Sequence, residues 1–449
     1  MSNPEETAEL THGQVVEDGL RPVLGGGRRF WTAAAITGAL FLLGILAFIV
    51  RLRDGFGDRT AWGYYAATFS YLLATAASAP VVAIGLRMAG ADWRRPFTRA
   101  AELFAVVGVF MVLLFLPLLA LVPHTDKSGT IWLGWPNAHL YDGLALAALV
   151  FCGLLLLYAS ALPDFAACRD AIGGGIRKQW FAWLAWRWWG SVRQWRLQRA
   201  ALGLLGGFYL TLLVMVYVLI SSDFALGLVP GWKDPLFPFQ QAMSGIQTAV
   251  ALTVVMMALL RRVGYRTYIE TEHFWAMAKI LLALSLLWVY FWFSGFIVMW
   301  YGRLPVERNL LKLLWFGPYQ PLFLATFVLN FLGPFLVLMW NPLRRSIAWP
   351  VAVSVMIMAG TLMERIRFYV ASYSVRETGA ILEHIPPAHV PDAADILLLV
   401  GGLAGAAFTY LMATKIVPVI SVWEVREGLI LRLRRSLVKI GVWVLAKTE

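Results

Sequence analysis

Charged residues are scarce in this sequence. Aspartate, glutamate, lysine and arginine make up only 14% of the 449 residues, whereas 60% are hydrophobic. The mean hydropathy is +0.69. A soluble domain has no interior large enough to bury that much apolar surface. The composition therefore excludes a soluble protein and predicts a chain that crosses a membrane many times.

Cysteine is almost absent, since Cys152 and Cys168 are the only two in the chain. There is no CxxC, no CxxCH for haem attachment, and no spacing typical of zinc or iron–sulfur ligation. The phosphate-binding patterns GxGxxG and GxxxxGK[ST] are also missing. We expect no metal, haem or iron–sulfur ligands in this chain. If the protein handles electrons, it must therefore pass them to a partner.

Long apolar runs are what the sequence has in abundance. A run of about 20 apolar residues spans a bilayer as a helix. About ten runs reach that length, and they predict an all-α polytopic membrane protein. The predicted spans are 30–50, 62–87, 99–122, 140–163, 202–222, 239–260, 275–300, 319–340, 346–370 and 395–414.

Lysine and arginine indicate the orientation of the spans. The termini and the even-numbered loops carry 26 of the 38 basic residues, whereas the odd-numbered loops carry 9. This bias places both termini in the cytoplasm and the protein in the inner (cytoplasmic) membrane as a multi-pass chain. The net charge of +12 reflects this bias and contact with lipids. It predicts no nucleic-acid partner, because the basic residues are not gathered in a soluble domain.

The chain divides into four predicted parts. Residues 1–29 read as a mobile cytoplasmic tail, and 30–222 as a first helix bundle. Within it, the tryptophan- and arginine-rich loop 164–200 is expected to lie as an amphipathic helix in the cytoplasmic headgroups. Residues 223–375 form a second bundle. Residues 376–449 hold the last membrane helix and a basic amphipathic cytoplasmic tail.

The stretch GTLMERIRFYV (360–370) places Glu364, Arg365 and Arg367 inside a predicted span. Each such charge costs about 2.5–3.5 kcal/mol on insertion scales, so a functional role is the default hypothesis. Two plainer interpretations remain open: Arg367 reaches the headgroups, or Glu364 and Arg367 pair as i, i+3 neighbours.

Other polar residues share the same outer layer in this topology. We expect them to belong to a functional site at this level, although Asp142 could be only a helix cap and His124 only a loop residue. These residues are His124, His139, Tyr141, Asp142 and Asp223. Glu102, Asp164 and Lys279 fall toward the inner side.

Several stretches, taken in order, resemble the NrfD-like family of polysulfide reductase membrane subunits, and especially the quinol-binding membrane subunit of alternative complex III. The likeness covers roughly residues 60–375. The stretches are RAAELFAVV (99–107), ALPDFAACRD (161–170), LISSDFALGLVPGWKDPLFP (219–238), HFWAMAKILLA (273–283), FIVMWYG (296–302), GPY (317–319), Asn330 and GTLMERIRFYV (360–370).

The resemblance implies two four-helix bundles with peripheral helices. It also implies a membrane subunit of a respiratory or photosynthetic electron-transfer complex, which oxidises quinol, expected to be menaquinol, in an outer-leaflet pocket. Electrons would pass to an iron–sulfur subunit with a molybdopterin-like domain on the outer face, and then to cytochrome c-type haems. A second NrfD-like subunit is a further expected partner. Proton translocation is an additional hypothesis, with Glu102, Asp164 and Lys279 as candidates for a proton path.

The family's functional residues fall on His124, Asp142, Glu364 and Arg365. The resemblance therefore implies a quinol-binding or proton-accepting site at the outer layer, which Tyr141, Asp223 and Arg367 are expected to share. A histidine titrates near neutrality and can accept a proton from a quinol hydroxyl. A carboxylate orients the imidazole, and an arginine holds that carboxylate charged or polarises a quinone oxygen. The sequence departs from the family in the short loop after His124, so His139 competes for the same role.

Three other functions remain as alternatives. One is a quinone-reducing anchor for a molybdopterin oxidoreductase. Another is a secondary transporter, although the charges cluster at the outer ends and no paired broken helices occur in two halves. The third is a purely structural anchor that binds no quinone.

Overall fold

The computed structural model describes residues 12–121, 138–302, 304–377 and 381–433. The described residues contain helices and no strands. In chain order the helices are α1 (His12–Leu24), α2 (Arg28–Arg53), α3 (Arg59–Met88), α4 (Thr98–Leu119), α5 (Ala138–Ala171), α6 (Ile176–Leu184), α7 (Val192–Phe224), α8 (Phe237–Val263), α9 (Thr271–Gly302), α10 (Pro305–Leu311), α11 (Gln320–Leu338), α12 (Ala348–Arg365), α13 (Ala393–Ala413) and α14 (Val422–Leu433).

Within the described ranges, nine helical segments are long and apolar enough to cross a membrane. This confirms the all-α polytopic fold. The predicted span 346–370 is also helical, since α12 continues through a π-helical turn, Ile366–Val370, into Ala371–Ser374. It is not among the nine. Its outer end carries Glu364, Arg365 and Arg367.

The membrane helices pack as two groups of four. The first bundle consists of α3, α4, α5 and α7, and the second consists of α8, α9, α11 and α12. The two bundles meet where α3 and α7 pack against α8 and α12, a contact called the seam below. Two further helices, α2 and α13, pair with each other and lie against α3 and α4.

Glycine makes the α2–α13 pairing possible. A Cβ atom on Gly44 would lie 2.6 Å from the Cα of Gly401, which is closer than two carbon atoms can approach. Small residues at such crossings let helix backbones touch in a membrane, where lipid tails give helices no hydrophobic reason to associate. The pairing of these two helices, far apart in sequence, closes the fold around α3.

The N-terminal segment is more structured than the sequence predicted. The expectation of a mobile tail is wrong for residues 12–24, because α1 is a helix whose Val15, Leu20 and Val23 are buried. The helix packs against α14, and Tyr268 donates a hydrogen bond to Asp18 at 2.9 Å. Both ends of the described chain therefore lie at one face, called the inner face below.

The tryptophan-rich loop contains less helix of its own than predicted. The membrane helices α5 and α7 extend into it, leaving the nine-residue α6 as its own helix. Most of the loop's tryptophans are exposed, with Trp183 and Trp189 65% and 79% accessible, whereas Trp188 is buried. Exposed tryptophan at the end of a membrane helix fits the interfacial role expected of this loop.

One membrane helix of the first bundle is interrupted by a π-helical turn, Leu73–Ala77. Ser78 follows it and donates to the freed carbonyl of Leu73 at 2.9 Å, which keeps the backbone satisfied inside the membrane. The Ser78 hydroxyl also lies 2.9 Å from the hydroxyl of Tyr217 on α7. Gly245 on α8 leaves room for that tyrosine, so the seam is built around a polar contact.

Candidate functional site

The three charged residues at the end of α12 are all fully buried. Arg367 therefore does not reach the headgroups, and that interpretation is wrong. The described residues also give Glu364 and Arg367 no ion pair within 4 Å, so the proposed i, i+3 pair does not form. Instead the three side chains point to three different surroundings.

Glu364 points into the second bundle. Its carboxylate accepts hydrogen bonds from the hydroxyl of Ser244 on α8 and from Nε1 of Trp288 on α9, the latter at 3.1 Å. Both donors are fully buried. A carboxylate held by two donors in a low-dielectric interior is fixed in position, because losing either donor would leave a buried acceptor unsatisfied.

Arg365 points toward the seam. Its Nη2 donates to the backbone carbonyl of Gln241 at 3.0 Å, while Nε and Nη1 are buried without a protein partner. Its charge acts electrostatically on the hydroxyls of Tyr217 and Tyr369. A buried guanidinium with spare N–H groups is costly unless an oxygen acceptor reaches it. This arrangement suits a ligand that carries such an oxygen.

Arg367 points to the outer cap of the second bundle. Its Nη1 donates to the carbonyl of Leu314 at 3.0 Å, and its guanidinium lies 4.0 Å from the ring of Phe368 and 5.4 Å from that of Phe323. Cation–π contacts of this kind are worth more when water is excluded. Arg367 thus holds the outer turn 312–316 against α11 and α12.

The π-helical turn Ile366–Val370 begins immediately after Arg365. A π-helical turn adds a residue to the local repeat and rotates everything beyond it, and such turns are frequent at functional sites. The regular i, i+3 spacing on which the predicted Glu364–Arg367 pair rested therefore does not hold here. This explains why the two side chains face different neighbours.

The outer end of the first bundle holds two more buried carboxylates. Asp142 stands near the start of α5 and is 1% exposed, and Asp223 stands near the end of α7 and is 2% exposed. Tyr141 lies beside Asp142 and is partly buried. A set of aromatic rings packs at this end of the bundle, with Phe115 5.1 Å from both Phe69 and Phe224.

The two candidate histidines cannot be compared in the structure. His124 lies outside the described residues. His139 falls in the first turn of α5, but its side chain is also outside the described part of the chain. The helix start places His139 one turn before Asp142, on the same outer end of α5.

Six charged side chains form an ion network near the inner face, where α3, α4 and α5 meet the segment that begins α14. The network combines three arginines with three carboxylates. Its members are Arg87, Arg94, Arg99, Glu102, Asp164 and Glu424. Two of the proton-path candidates, Glu102 and Asp164, are thus ion-paired.

The centre of this inner ion network is Arg99, which is fully buried. It donates to Asp164 at 3.0 Å and to the carbonyl of Ser160 at 2.7 Å, and its Nε lies 3.5 Å from Glu102. Glu102 also accepts a hydrogen bond from the Ser160 hydroxyl at 2.7 Å. The second oxygen of Asp164 accepts the backbone N–H of Trp423 at 3.0 Å, which ties α14 to the bundle.

Sequence reasoning missed Glu424, which completes the network. It accepts hydrogen bonds from Arg94 at 2.8 Å and from Arg87 at 3.3 Å, and it is 1% exposed. Lys279, the third proton-path candidate, is not part of the network. Its ammonium lies 3.9 Å from the ring of Trp275 on an exposed side of α9.

A second charged group lies at the outer end of the α2–α13 pair and was also missed. Arg51 contacts Asp392 at 2.9 Å and Asp395 at 2.7 Å. His389 approaches Asp395 at 3.5 Å, and the hydroxyl of Tyr64 donates to the carbonyl of His389 at 3.0 Å. The carboxylates sit at the positive end of the α13 dipole, which together with Arg51 stabilises them.

Polar side chains also cross the interior of the second bundle. Gln247 donates to the hydroxyl of Ser285 and to the carbonyl of Asn330, both at 2.9 Å. Thr248, the next residue on α8, has its hydroxyl 2.7 Å from that of Thr361 on α12. These residues are fully buried, so the second bundle has a hydrogen-bonded interior rather than a purely apolar one.

The comparison with known families decides the classification. The family model for polysulphide reductase, NrfD, matches residues 55–375, which is most of the chain. The chain belongs to the NrfD family. No curated protein matches it. NrfD proteins are membrane subunits of quinone-linked oxidoreductase complexes, and they associate with iron–sulfur or molybdopterin subunits. This NrfD protein is therefore a multi-pass membrane subunit of a redox complex.

The matched range contains most of the groups described above: the seam, the end of α12, Asp142, Asp223 and most of the inner ion network. Glu424 and the Asp392–Asp395 pair lie beyond it. Among the described residues no group of three histidine, cysteine or acidic side chains is arranged to hold a metal ion. The two cysteines are buried in α5 and form no disulfide.

Proposed function

We propose that this NrfD protein oxidises quinol, with menaquinol as the substrate, at the outer end of the first bundle beside the seam. The electrons leave through an iron–sulfur subunit with a molybdopterin-like domain on the outer face and continue to cytochrome c-type haems. A second NrfD-like subunit belongs to the same complex. The complex lies in the inner membrane.

The observation that supports this proposal most is the environment of Arg365. It is fully buried at the seam, has no carboxylate ion pair among the described residues, and keeps two N–H groups without a protein acceptor. A quinone oxygen is an acceptor that would satisfy them. Arginine cannot release its own proton, so it binds and polarises that oxygen without taking part in proton transfer.

The remaining residues take roles in accepting the protons that the quinol releases. Oxidation of a quinol yields a quinone, two electrons and two protons, so acceptors must stand near the two hydroxyls. His124 or His139 accepts a proton, and Asp142 orients that imidazole and stabilises its charged form. Tyr141 and Asp223 line the same outer end. Glu364 and Arg367 position the end of α12 through the contacts described above.

An ordered outer face supports docking of an electron-accepting partner. Asn309 donates to the carbonyl of Leu382 at 2.8 Å, and the backbone N–H of His389 donates to the hydroxyl of Tyr319 at 3.2 Å. Arg59 donates to the carbonyl of Val375. These contacts fix outer loops that would otherwise be free, and preorganised surfaces lose less entropy on binding.

The test is quinol:cytochrome c reductase activity of the assembled complex. A hydrogen bond from a charged group is worth about 1.5–3 kcal/mol, so Arg365→Met should lower kcat/KM by about ten- to a hundredfold. Asp142→Asn should lower it as well, and one of His124→Ala and His139→Ala should lower it more than the other. Arg193→Met, which removes an exposed arginine at the inner end of α7, is the matched control.

Native gels would show that each variant assembles. Normal turnover in assembled Asp142→Asn and Arg365→Met complexes would contradict the proposal, because the two charges would then be structural. Comparing menaquinol with ubiquinol as electron donor tests the substrate. A preference for ubiquinol would overturn that part alone.

Proton translocation remains a separate hypothesis, with Glu102, Asp164 and Lys279 as its candidates. Replacing Glu102 with glutamine and measuring protons released per electron in liposomes would test it. A reduced ratio with normal electron flux supports a proton path through Glu102. An unchanged ratio assigns this residue to the inner ion network alone, where Arg87 and Ser160 hold it.

A further inference from the structure

A surface groove lies at the inner face between the end of α8 and the start of α12. Its volume is about 650 Å³. Three arginines, Arg261, Arg262 and Arg266, form its polar side. Its other side is apolar, and the residues on that side are Ala258, Ile347, Ala348, Val351 and Ala352. A groove with one cationic side and one apolar side has the chemistry of a lipid site rather than that of a soluble anion site.

The three arginines lie where α8 ends and the chain reverses. Gly264 adopts a φ of +129° directly after α8, a conformation that other residues rarely adopt, and the chain reverses there. Arg261 donates to the carbonyls of Arg266, at 3.3 Å, and Ile269. Within the described residues none of the three arginines has a carboxylate partner within 4 Å, so their charge is free to act on a ligand.

The start of α12 adds to this positive potential. The helix begins at Ala348 with no acidic residue in its first turn, and the Ser346 hydroxyl accepts the N–H of Trp349 at 3.3 Å. The N-terminal end of a helix carries a partial positive charge and favours an anion nearby. Trp349 is 46% exposed at the same level, as expected for a residue at the membrane–water interface.

We infer that this groove binds an anionic glycerophospholipid. The headgroup phosphate lies against the three arginines and the first turn of α12. An acyl chain lies along Ala258, Val351 and Ala352 between the two helices. The inference does not depend on the proposed quinol chemistry. The site lies at the inner face, whereas the proposed quinol site lies at the outer end of the first bundle.

The test is native mass spectrometry of the purified, delipidated complex titrated with dioleoyl phosphatidylglycerol. We expect one phospholipid to bind more tightly than the rest, and dioleoyl phosphatidylcholine to bind at least tenfold more weakly. Changing Arg261, Arg262 and Arg266 together to glutamine should weaken phosphatidylglycerol binding at least tenfold. Ala352→Trp keeps every charge but fills the apolar side, and it should cause a similar loss.

The matched control changes Arg187, Arg193 and Arg196 to glutamine. These exposed arginines lie near the same face, and replacing them removes the same amount of charge. This variant should bind phosphatidylglycerol like the wild type. Wild-type binding by both groove variants would overturn the inference, and so would an equal loss in the control. Displacement of the lipid by excess inorganic phosphate would also overturn it, because it would show an anion site without an acyl-chain contact.

Discussion

Removing Arg99 from the inner ion network should destabilise the protein far more than removing an exposed arginine. Arg99 is fully buried and donates to Asp164 at 3.0 Å. In Arg99→Met, the carboxylate of Asp164 keeps the N–H of Trp423 but loses its counter-charge. Removing one partner of a buried ion pair costs about 3–5 kcal/mol of stability, because the other charge is left buried without compensation. We expect Arg99→Met to lower the free energy of unfolding by that amount.

A double-mutant cycle distinguishes an ion pair from two independent losses. Asp164→Leu alone should also be costly, because it leaves Arg99 beside a neutral residue. The double variant removes one charge of each sign and leaves two arginines with two glutamates. We therefore expect it to cost less than the sum of the two single changes by about 0.5–3 kcal/mol.

The assay is equilibrium unfolding of the purified protein by sodium dodecyl sulfate in mixed micelles, followed by helicity and tryptophan fluorescence. Arg193→Met, which removes an exposed arginine, is the control and should change stability by less than about 0.5 kcal/mol. The reasoning fails if Arg99→Met behaves like this control, or if the two single changes are additive.

Two further predictions concern packing and pH. Gly44→Ala should lower the melting temperature, because its Cβ would lie 2.6 Å from the Cα of Gly401. Gly207→Ala, where a Cβ meets open space, is the control and should not lower it. Equal melting temperatures for the two variants would contradict the close crossing of α2 and α13. Burial raises the pKa of Asp58, but the hydrogen bonds from Thr60 and the charge of Arg376 together lower it by more. The net shift of this pKa is therefore downward. The stabilisation is then present above the unfolded-state pKa and is lost as pH falls through the folded-state pKa. Asp58→Asn should therefore melt lower than wild type at neutral pH, with the gap closing in acid; a gap independent of pH would argue against this ion pair.

The sequence was sufficient to predict the membrane helices, because apolar length is a local property. The runs near α2, α5, α8 and α13 are each long and carry at most one charged residue, and all four are helices. The helix over 346–370 was also foreseen. The directions of its side chains could not be foreseen, because the π-helical turn after Arg365 changes the helical register. No residue type in the sequence predicts such a turn.

Long-range contacts account for what sequence reasoning missed. Glu424 lies in a basic tail that reads as an amphipathic surface helix, yet it is buried against Arg87 and Arg94, more than 300 residues earlier. Asp395 has the sequence position of an ordinary acidic residue in the first turn of a helix, here α13. In the structure it contacts Arg51 at the end of α2. A pattern within one segment cannot reveal a partner that only the tertiary fold supplies.

For the candidate site, the sequence singled out Glu364, Arg365 and Arg367 as charged residues within a predicted span. The structure shows that Arg365 faces the seam, whereas Glu364 faces the interior of the second bundle. The proposed role of Asp142 agrees with its burial at the start of α5. The side chains of His124 and His139 lie outside the described residues, and the activities of their two alanine variants choose between them.

The most direct test of the central claim is a structure of the assembled complex with a bound menaquinol analogue. The account predicts the ring at the outer end of the first bundle, with one ring oxygen within hydrogen-bond distance of Nε or Nη1 of Arg365 and Asp142 lining the same pocket. A ring bound in the interior of the second bundle, at the inner face or in another subunit would contradict it.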